Sequence, residues 1–283
     1  MNVRRLIRTI LIALPLVFSL AGFTALESLF APSADLWPRW QTHDPASKTE
    51  VDHGAWSAFL KTYVRTDQTG LNRVAYGGVS EANKKSLHGY LGRMRRVGVS
   101  GLSRNEQLAY WINLYNALTV RLILDFYPIG SIRDIDLSSG LFSSGPWDKK
   151  LIKIEGEMIS LNDIEHRILR PIWNDPRIHY AVNCASVGCP NLATQPYTAA
   201  RMNAMLDAGA EAYINSPRGV NLTDDGLIVS KIYSWFSRDF GNSEPQILEH
   251  LLGFANRETK LKILRAASID GYAYDWALNG TKR

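Results

Sequence analysis

The sequence predicts one α+β domain, with a helical N-terminal half packed on a mostly antiparallel sheet. Three observations carry that reading. Amphipathic helical periodicities come first along the chain, strand-like runs come mostly later, and a hairpin signal lies among the strands. No glycine-rich phosphate loop, internal repeat or low-complexity segment breaks the pattern. The chain has 283 residues, 46% hydrophobic and 21% charged, which suffices for one sizeable core.

Each element follows from local spacing. Arg4, Arg5 and Arg8 head an apolar run over 6–25, the layout of a secretory signal that is also nearly long enough to span a bilayer uncleaved. Residues 1–30 are therefore assigned to a signal peptide or N-terminal membrane anchor, 31–47 to a polar spacer, and 48–283 to the domain. Trp56, Phe59, Leu60 and Tyr63 share a face of a first helix over 51–63. Leu87, Tyr90, Leu91 and Met94 do so on a second over 83–97, which Gly98 ends. The third helix is the clearest. Ser103 and Glu106 match a capping box, and Leu108, Trp111, Ile112, Tyr115, Leu118, Leu122 and Phe126 keep helical spacing. Leu114, Val120, Ile123 and Leu124 fill much of the remaining circumference, so this helix is expected to be buried nearly all round, with Pro128 as its stop.

A short strand follows over 151–154, turning at Gly156. Residues 160–169 read as a fourth helix, capped by Ser160 and Asp163 and closed by Pro171. The apolar run 178–182 reads as a strand, and 199–214 as a helix. Asp224-Asp225-Gly226 joins strands over 219–222 and 227–232, 246–254 is helical, and Tyr272, Tyr274 and Trp276 alternate as in a strand.

Composition narrows the function classes. The formal charge of +5 comes from the two ends of the chain, because Arg4, Arg5, Arg8, Lys282 and Arg283 account for it. No dense basic stripe interleaves with aromatics, so nucleic acid is not an expected partner. The N-terminal segment predicts export, to the periplasm or to the inner membrane facing it, with membrane contact only through that segment if uncleaved. Two cysteines at close spacing in an oxidising compartment favour a disulfide. One such pair without regular histidine spacing does not make a zinc site, and no cofactor motif is present.

The chemistry concentrates in residues 178–190, IHYAVNCASVGCP, which hold His179 and both cysteines, Cys184 and Cys189. The apolar run delivers Asn183 and Cys184 into a loop of small residues, Ala185, Ser186 and Gly188. Such a loop suits a nucleophile whose oxyanion is held by backbone amides, or a Cys184–Cys189 disulfide. A nucleophile needs a base. On a strand, five residues span about 16 Å and an odd separation puts His179 and Cys184 on opposite faces. His179 then reads as a sheet histidine, and the base is expected from His166, with His53 and His88 behind it. Glu165 falls within the apolar face made by Leu161, Ile164, Ile168 and Leu169, while His166 falls off it. A carboxylate so placed is either a structural ion pair or a general base or its orienter. In KIYSWFSRDFG, Lys231 and Asp239 sit among aromatics, and Asp239 can cap a turn or orient a histidine. Asn113 and Asn116 lie inside the third helix beside Trp111, where buried amides need partners.

The segments QLAYWINLYNALTVRLILDFYP, PWDKKLIKIEGEMISLNDIEHRILRP, IHYAVNCASVGCPNL, INSPRGV, IVSKIYSWFSRDFG and YDWALNG resemble, in order, the blocks of the domain of unknown function 547 family. The resemblance covers residues 51–279. It places family motifs on Trp111, Asn113, Asn116, Glu165, His166, His179, Asn183, Cys184, Pro190, Lys231, Asp239 and Trp276. It implies an exported or membrane-associated bacterial protein, no assigned activity, and a distant likeness to papain-type or transglutaminase-type folds. Some plant relatives lack the cysteine matching Cys184, so the resemblance does not imply a family-wide thiol mechanism, while one confined to the bacterial branch is compatible with it.

Two functional readings result. In the first, the protein is a cysteine-dependent hydrolase or acyl transferase of the cell envelope. Cys184 is its nucleophile, His166 ahead of His179 its base, Glu165 or Asp239 the orienter, and Asn183 or loop amides the oxyanion site. In the second, it is a non-catalytic module for a small molecule, an envelope ligand or a protein. Its cysteines are then structural, and Trp111, Asn113, Asn116 and Lys231 line the cleft. A thiol–disulfide exchanger is weaker, because the two-residue cysteine spacing is missing.

Overall fold

The computed structural model describes residues 31–137 and 145–281. The signal or anchor assignment lies outside the described residues. The helical half consists of α1 (Gly54–Tyr63), α2 (Glu81–Met94) and α3 (Arg104–Phe126). Between Glu106 and Leu124, every residue of α3 except Arg121 is buried, as an apolar circumference requires. The capping box expected at its start does not form. Glu106 turns instead to accept the Val51 N–H at 2.7 Å, which ties the approach to α1 onto α3.

Residues 31–47 are not a free spacer. Asp35 and Trp37 donate their backbone N–H groups to the carbonyls of His166 and Arg167, both at 2.9 Å. Trp40 is 1% exposed and meets Trp111 edge-on at 5.0 Å. Trp37 and Trp40 bring apolar area that the polar composition of the stretch conceals.

The α+β class holds, but among the described residues the strands are divided among three small sheets rather than gathered in one. β1 (Val64–Thr66) pairs antiparallel with β2 (Asn72–Val74), and β3 (Ile152–Ile154) with β4 (Glu157–Ile159). The second hairpin turns at Glu155 and Gly156, whose positive φ values of 46° and 93° suit a primed turn. The third sheet joins β5 (Val220–Thr223) antiparallel to β6 (Gly226–Ser230), which pairs parallel with β7 (Gly271–Ala273).

Two segments near the chemistry depart from expectation. The fourth helix opens with the expected reciprocal cap: Ser160 N–H donates to Asp163 Oδ2 at 2.8 Å, and Asp163 N–H to Ser160 Oγ at 3.1 Å. It then runs as a π-helix, Asp163–Leu169, and continues as α4 (Arg170–Trp173). Pro171 does not end it, because the carbonyls of His166 and Arg167 one turn back accept from Asp35 and Trp37 and do not depend on the N–H that proline lacks. The wider π turn buries both Glu165 and His166, where ordinary α spacing leaves His166 outside.

The second departure is 178–182, which is not a strand. A 3-10 helix covers Pro176–Tyr180. Asp175 caps it through Arg177 N–H, and Pro176 supplies the helical φ.

The remaining helices are α5 (Met202–Ile214), α6 (Ile232–Trp235), α7 (Glu244–Phe254) and α8 (Arg257–Ala266). They enclose a second core around Tyr213, Val229, Tyr233 and Leu251, while the first surrounds α3. His179 and the cysteine loop follow α4 in the chain and precede α5.

Candidate functional site

The cysteine loop is held at its root by Asn183. Its Nδ2 donates to Pro190 O at 2.6 Å, and its Oδ1 accepts from Ala185 N–H at 2.9 Å and from Asn279 Nδ2 at 3.3 Å. These bonds keep Ala185 in the left-handed region at φ 59°. The other wall of the loop is the C-terminal stretch. Val187 and Gly188 donate to the carbonyls of Ala277 and Asp275, both at 2.7 Å. A Cβ at Gly188 would stand 2.6 Å from Asp275 N, so only glycine admits this approach. The contact lays Tyr274 against the cysteines.

The two cysteines are not joined to each other in the structure. Their sulfurs touch at 2.7 Å, longer than the roughly 2.05 Å of an S–S bond, and Cys184 N–H points at Cys189 Sγ from 2.9 Å. Cys184 is half-buried and Cys189 buried. The hydroxyls of Tyr274 and Ser186 lie 3.0 and 3.2 Å from Cys184 Sγ. Burial pushes the Cys184 thiol up, but hydrogen bonds from Cys189, Ser186 and Tyr274 outweigh it and leave the thiol below its ordinary value. Cys189 moves the opposite way, raised by burial and by its neighbour's charge. Tyr274, raised well above the usual phenol by burial, keeps its proton and stays a donor.

Beside the thiols runs a line of ionisable groups. The Glu165 carboxylate is close enough for its charge to oppose ionisation of Cys184. It stands 3.8 Å from His179 Nδ1. His179 Nε2 meets Asp239 Oδ2 at 2.7 Å, and Arg170 Nε donates to the same oxygen at 2.6 Å. Burial acts to raise Asp239, but hydrogen bonds from His179 and Arg170 prevail and hold its carboxyl well below the usual range. An ionised Asp239 can only accept, so His179 Nε2 carries a proton toward it while Nδ1 faces Glu165. Phe236 stacks on the His179 ring at 4.5 Å and fixes its plane.

The structure gathers Cys184, Glu165, His179 and Asp239 into one region. His166 is adjacent but differently engaged. Its Nδ1 accepts from Arg170 at 2.9 Å, and burial lowers it to about 4, so it is neutral. His53 bonds Tyr90 at 2.7 Å, and His88 bonds the Lys84 carbonyl of its own helix at 2.8 Å.

Asn113, Asn116 and Trp111 lie inside the core rather than along a cleft. Asn113 holds both the N–H and the carbonyl of Tyr197, and Asn116 holds Ala181 O and Asn183 N–H. Their amides fasten loops to α3. Lys231 opens α6, its N–H donating to Ala273 O. Asn183 and the amides of Ala185, Val187, Gly188 and Cys189 are likewise engaged within the protein. The hydroxyls of Tyr274 and Ser186 are further donors beside the Cys184 sulfur.

Tyr274, Ser186 and Arg170 are functional neighbours that spacing did not single out. Tyr274 carried a signal, its alternation with Trp276; Arg170 carried one too, four residues after His166. Among the described residues, no group of three or more His, Cys, Asp or Glu side chains converges as metal ligands. A cleft of about 340 Å³ lies elsewhere, between Thr49 and Leu102, lined in part by Asp52 and Arg93.

Residues 99–214 match the family described as "Protein of unknown function, DUF547". The resemblance read from the sequence is borne out over that span, which contains Glu165, His179 and both cysteines. No curated protein and no solved structure matches the chain.

Proposed function

The chain carries a domain of unknown function 547 across residues 99–214, and on that premise we propose that it is a cysteine-dependent hydrolase or acyl transferase of the cell envelope. One observation carries the reading. A half-buried thiol, lowered by three donors, lies within the field of a carboxylate that meets a histidine oriented by an ion pair. In this reading the Cys184 sulfur attacks an acyl carbonyl. The developing oxyanion takes hydrogen bonds from the Tyr274 and Ser186 hydroxyls. His179 receives the thiol proton on the Nδ1 side and returns it to the leaving group. Asp239 fixes its tautomer, and Glu165, 3.8 Å from Nδ1, favours the imidazolium that forms. His179 takes the role expected of His166, whose acceptor nitrogen already holds Arg170. Water or a second nucleophile then releases the acyl group from the thioester.

p-Nitrophenyl acetate tests this. The Cys184 peptide of the full chain is expected to gain one acetyl group, and Cys184→Ser to lose both the adduct and the turnover. Turnover that survives Cys184→Ser sinks the proposal.

The non-catalytic reading has one observation of its own. Trp235, Tyr274 and Trp276 form a partly exposed aromatic cluster beside Cys184, with centroids 4.7 to 5.7 Å apart. A ligand that quenches tryptophan fluorescence equally in wild type and Cys184→Ser, with no acyl adduct, would favour it.

A further inference from the structure

We propose that Cys184 and Cys189 form a reversible oxidation site whose co-substrate is a hydroperoxide, so that the loop alternates between a free thiol and an internal disulfide. Both sulfurs are already in contact within a loop closed by its own bonds. Asn183 ties the two ends of that loop together, and Cys189 N–H donates to Ser186 O at 3.2 Å. No backbone rearrangement has to bring the partners together. Cys184 is only partly buried, so a molecule as small as hydrogen peroxide can reach it, whereas Cys189 is 4% exposed and meets Cys184 before solvent. The two thiols are also chemically unequal. One is lowered and suited to attack, and the other keeps its proton until an electrophilic sulfur appears.

The steps balance. The Cys184 thiolate attacks a peroxide oxygen, the O–O bond breaks, and hydroxide leaves a sulfenic acid on Cys184. The Cys189 sulfur then attacks that sulfur. The S–S bond forms, the S–O bond breaks, and the departing hydroxyl takes the Cys189 proton as water. In total, two thiols are oxidised by two electrons and one peroxide becomes two waters. A dithiol reductant reverses the change by exchange.

This inference rests on the proposed function only for its consequence, which is that the disulfide silences the nucleophile. The experiment therefore reads thiols. The full folded chain is reduced, freed of reductant and treated with hydrogen peroxide. It is then denatured in N-ethylmaleimide and weighed intact. Both alkylation sites are expected to disappear together with the loss of two hydrogens, and dithiothreitol added before denaturation should restore both. Cys189→Ala is expected to stop at a sulfenic acid on Cys184 that dimedone traps.

Three results each overturn the proposal: both thiols still alkylated after peroxide, Cys184 driven to sulfonic acid beside a free Cys189, or a bond that dithiothreitol cannot open in the folded protein. None depends on the alanine variant folding. If Cys184→Ser keeps turnover, the hydrolase reading fails and the redox pair stands. Free thiols that persist through peroxide treatment in an active enzyme remove the redox pair alone.

Discussion

Asp239→Asn isolates the ion pair that orients His179. Asp239 Oδ2 receives two charge-assisted bonds, from Arg170 at 2.6 Å and His179 at 2.7 Å. The Arg170 side chain is 4% exposed and that of Asp239 18%, so neither charge is returned to water when its partner goes. The remaining partners of Arg170, Pro32 O and His166 Nδ1, are uncharged acceptors. Removing one member of a buried pair costs about 3–5 kcal/mol, and the asparagine carbonyl still accepts one bond, which places this variant near the lower end. For a chain of this size that loss lowers Tm by about 6–12 °C near neutral pH.

The pH dependence adds a second reading. The folded carboxyl titrates below its unfolded value, so its contribution is complete above the unfolded value of about 3.9 and is lost as pH falls toward the folded one. The gap between wild type and variant should therefore be full at neutral pH and close as the solution becomes strongly acidic. Differential scanning calorimetry at several pH values measures both effects. A neutral-pH Tm within about 2 °C of wild type, or a gap that widens in acid, would refute the reasoning. If the acyl-transfer reading also holds, turnover falls by about 100-fold or more, since a general base loses its fixed tautomer.

Tyr274→Phe removes a donor to the Cys184 sulfur. The pH midpoint for iodoacetamide alkylation of Cys184 should rise while the unfolding midpoint barely moves; an unchanged alkylation profile would show that the phenol does not act on the thiol. Gly188→Ala drives a Cβ against Asp275 N and should cost about 1–3 kcal/mol, read from the urea midpoint, with an unchanged midpoint counting against the close approach. His53, His166 and His250 are each lowered by burial from 6.5 to about 4. The unfolded chain protonates them first, so stability should fall as pH drops through that window, by up to about 1.4 kcal/mol per pH unit for each residue. A urea midpoint that stays flat between about pH 7 and 5 would contradict this.

Much of the fold was legible where one period dominates. The circumference of α3 and the Asp224-Asp225-Gly226 hairpin follow from spacing alone. The wheel misplaced His166 because it assumed α geometry, and a π turn rotates successive side chains less. Residues 178–182 misled because an apolar run of that length suits either a strand or a short buried helix, and the Asp175-Pro176 start decided it. The strand reading also put His179 behind His166 as the base, since the opposite-face rule applies only to a strand. The identities of Cys184, Glu165, His179 and Asp239 were readable in the sequence. Their assembly was not, because Asp239 lies 60 residues beyond His179 and Tyr274 lies 90 beyond Cys184. Asn113 and Asn116 looked like ligand contacts for a related reason: the loops whose backbone they satisfy are far away in the chain.

Residues 32–37 lie along the π turn, and Arg170 reaches from Asp239 to the Pro32 carbonyl at 2.7 Å. The chain thus joins its domain at the imidazole–carboxylate line. One guanidinium therefore serves both ends of this contact, so a substitution that frees Arg170 from Asp239 also loosens the seat of the stretch at residues 32–37.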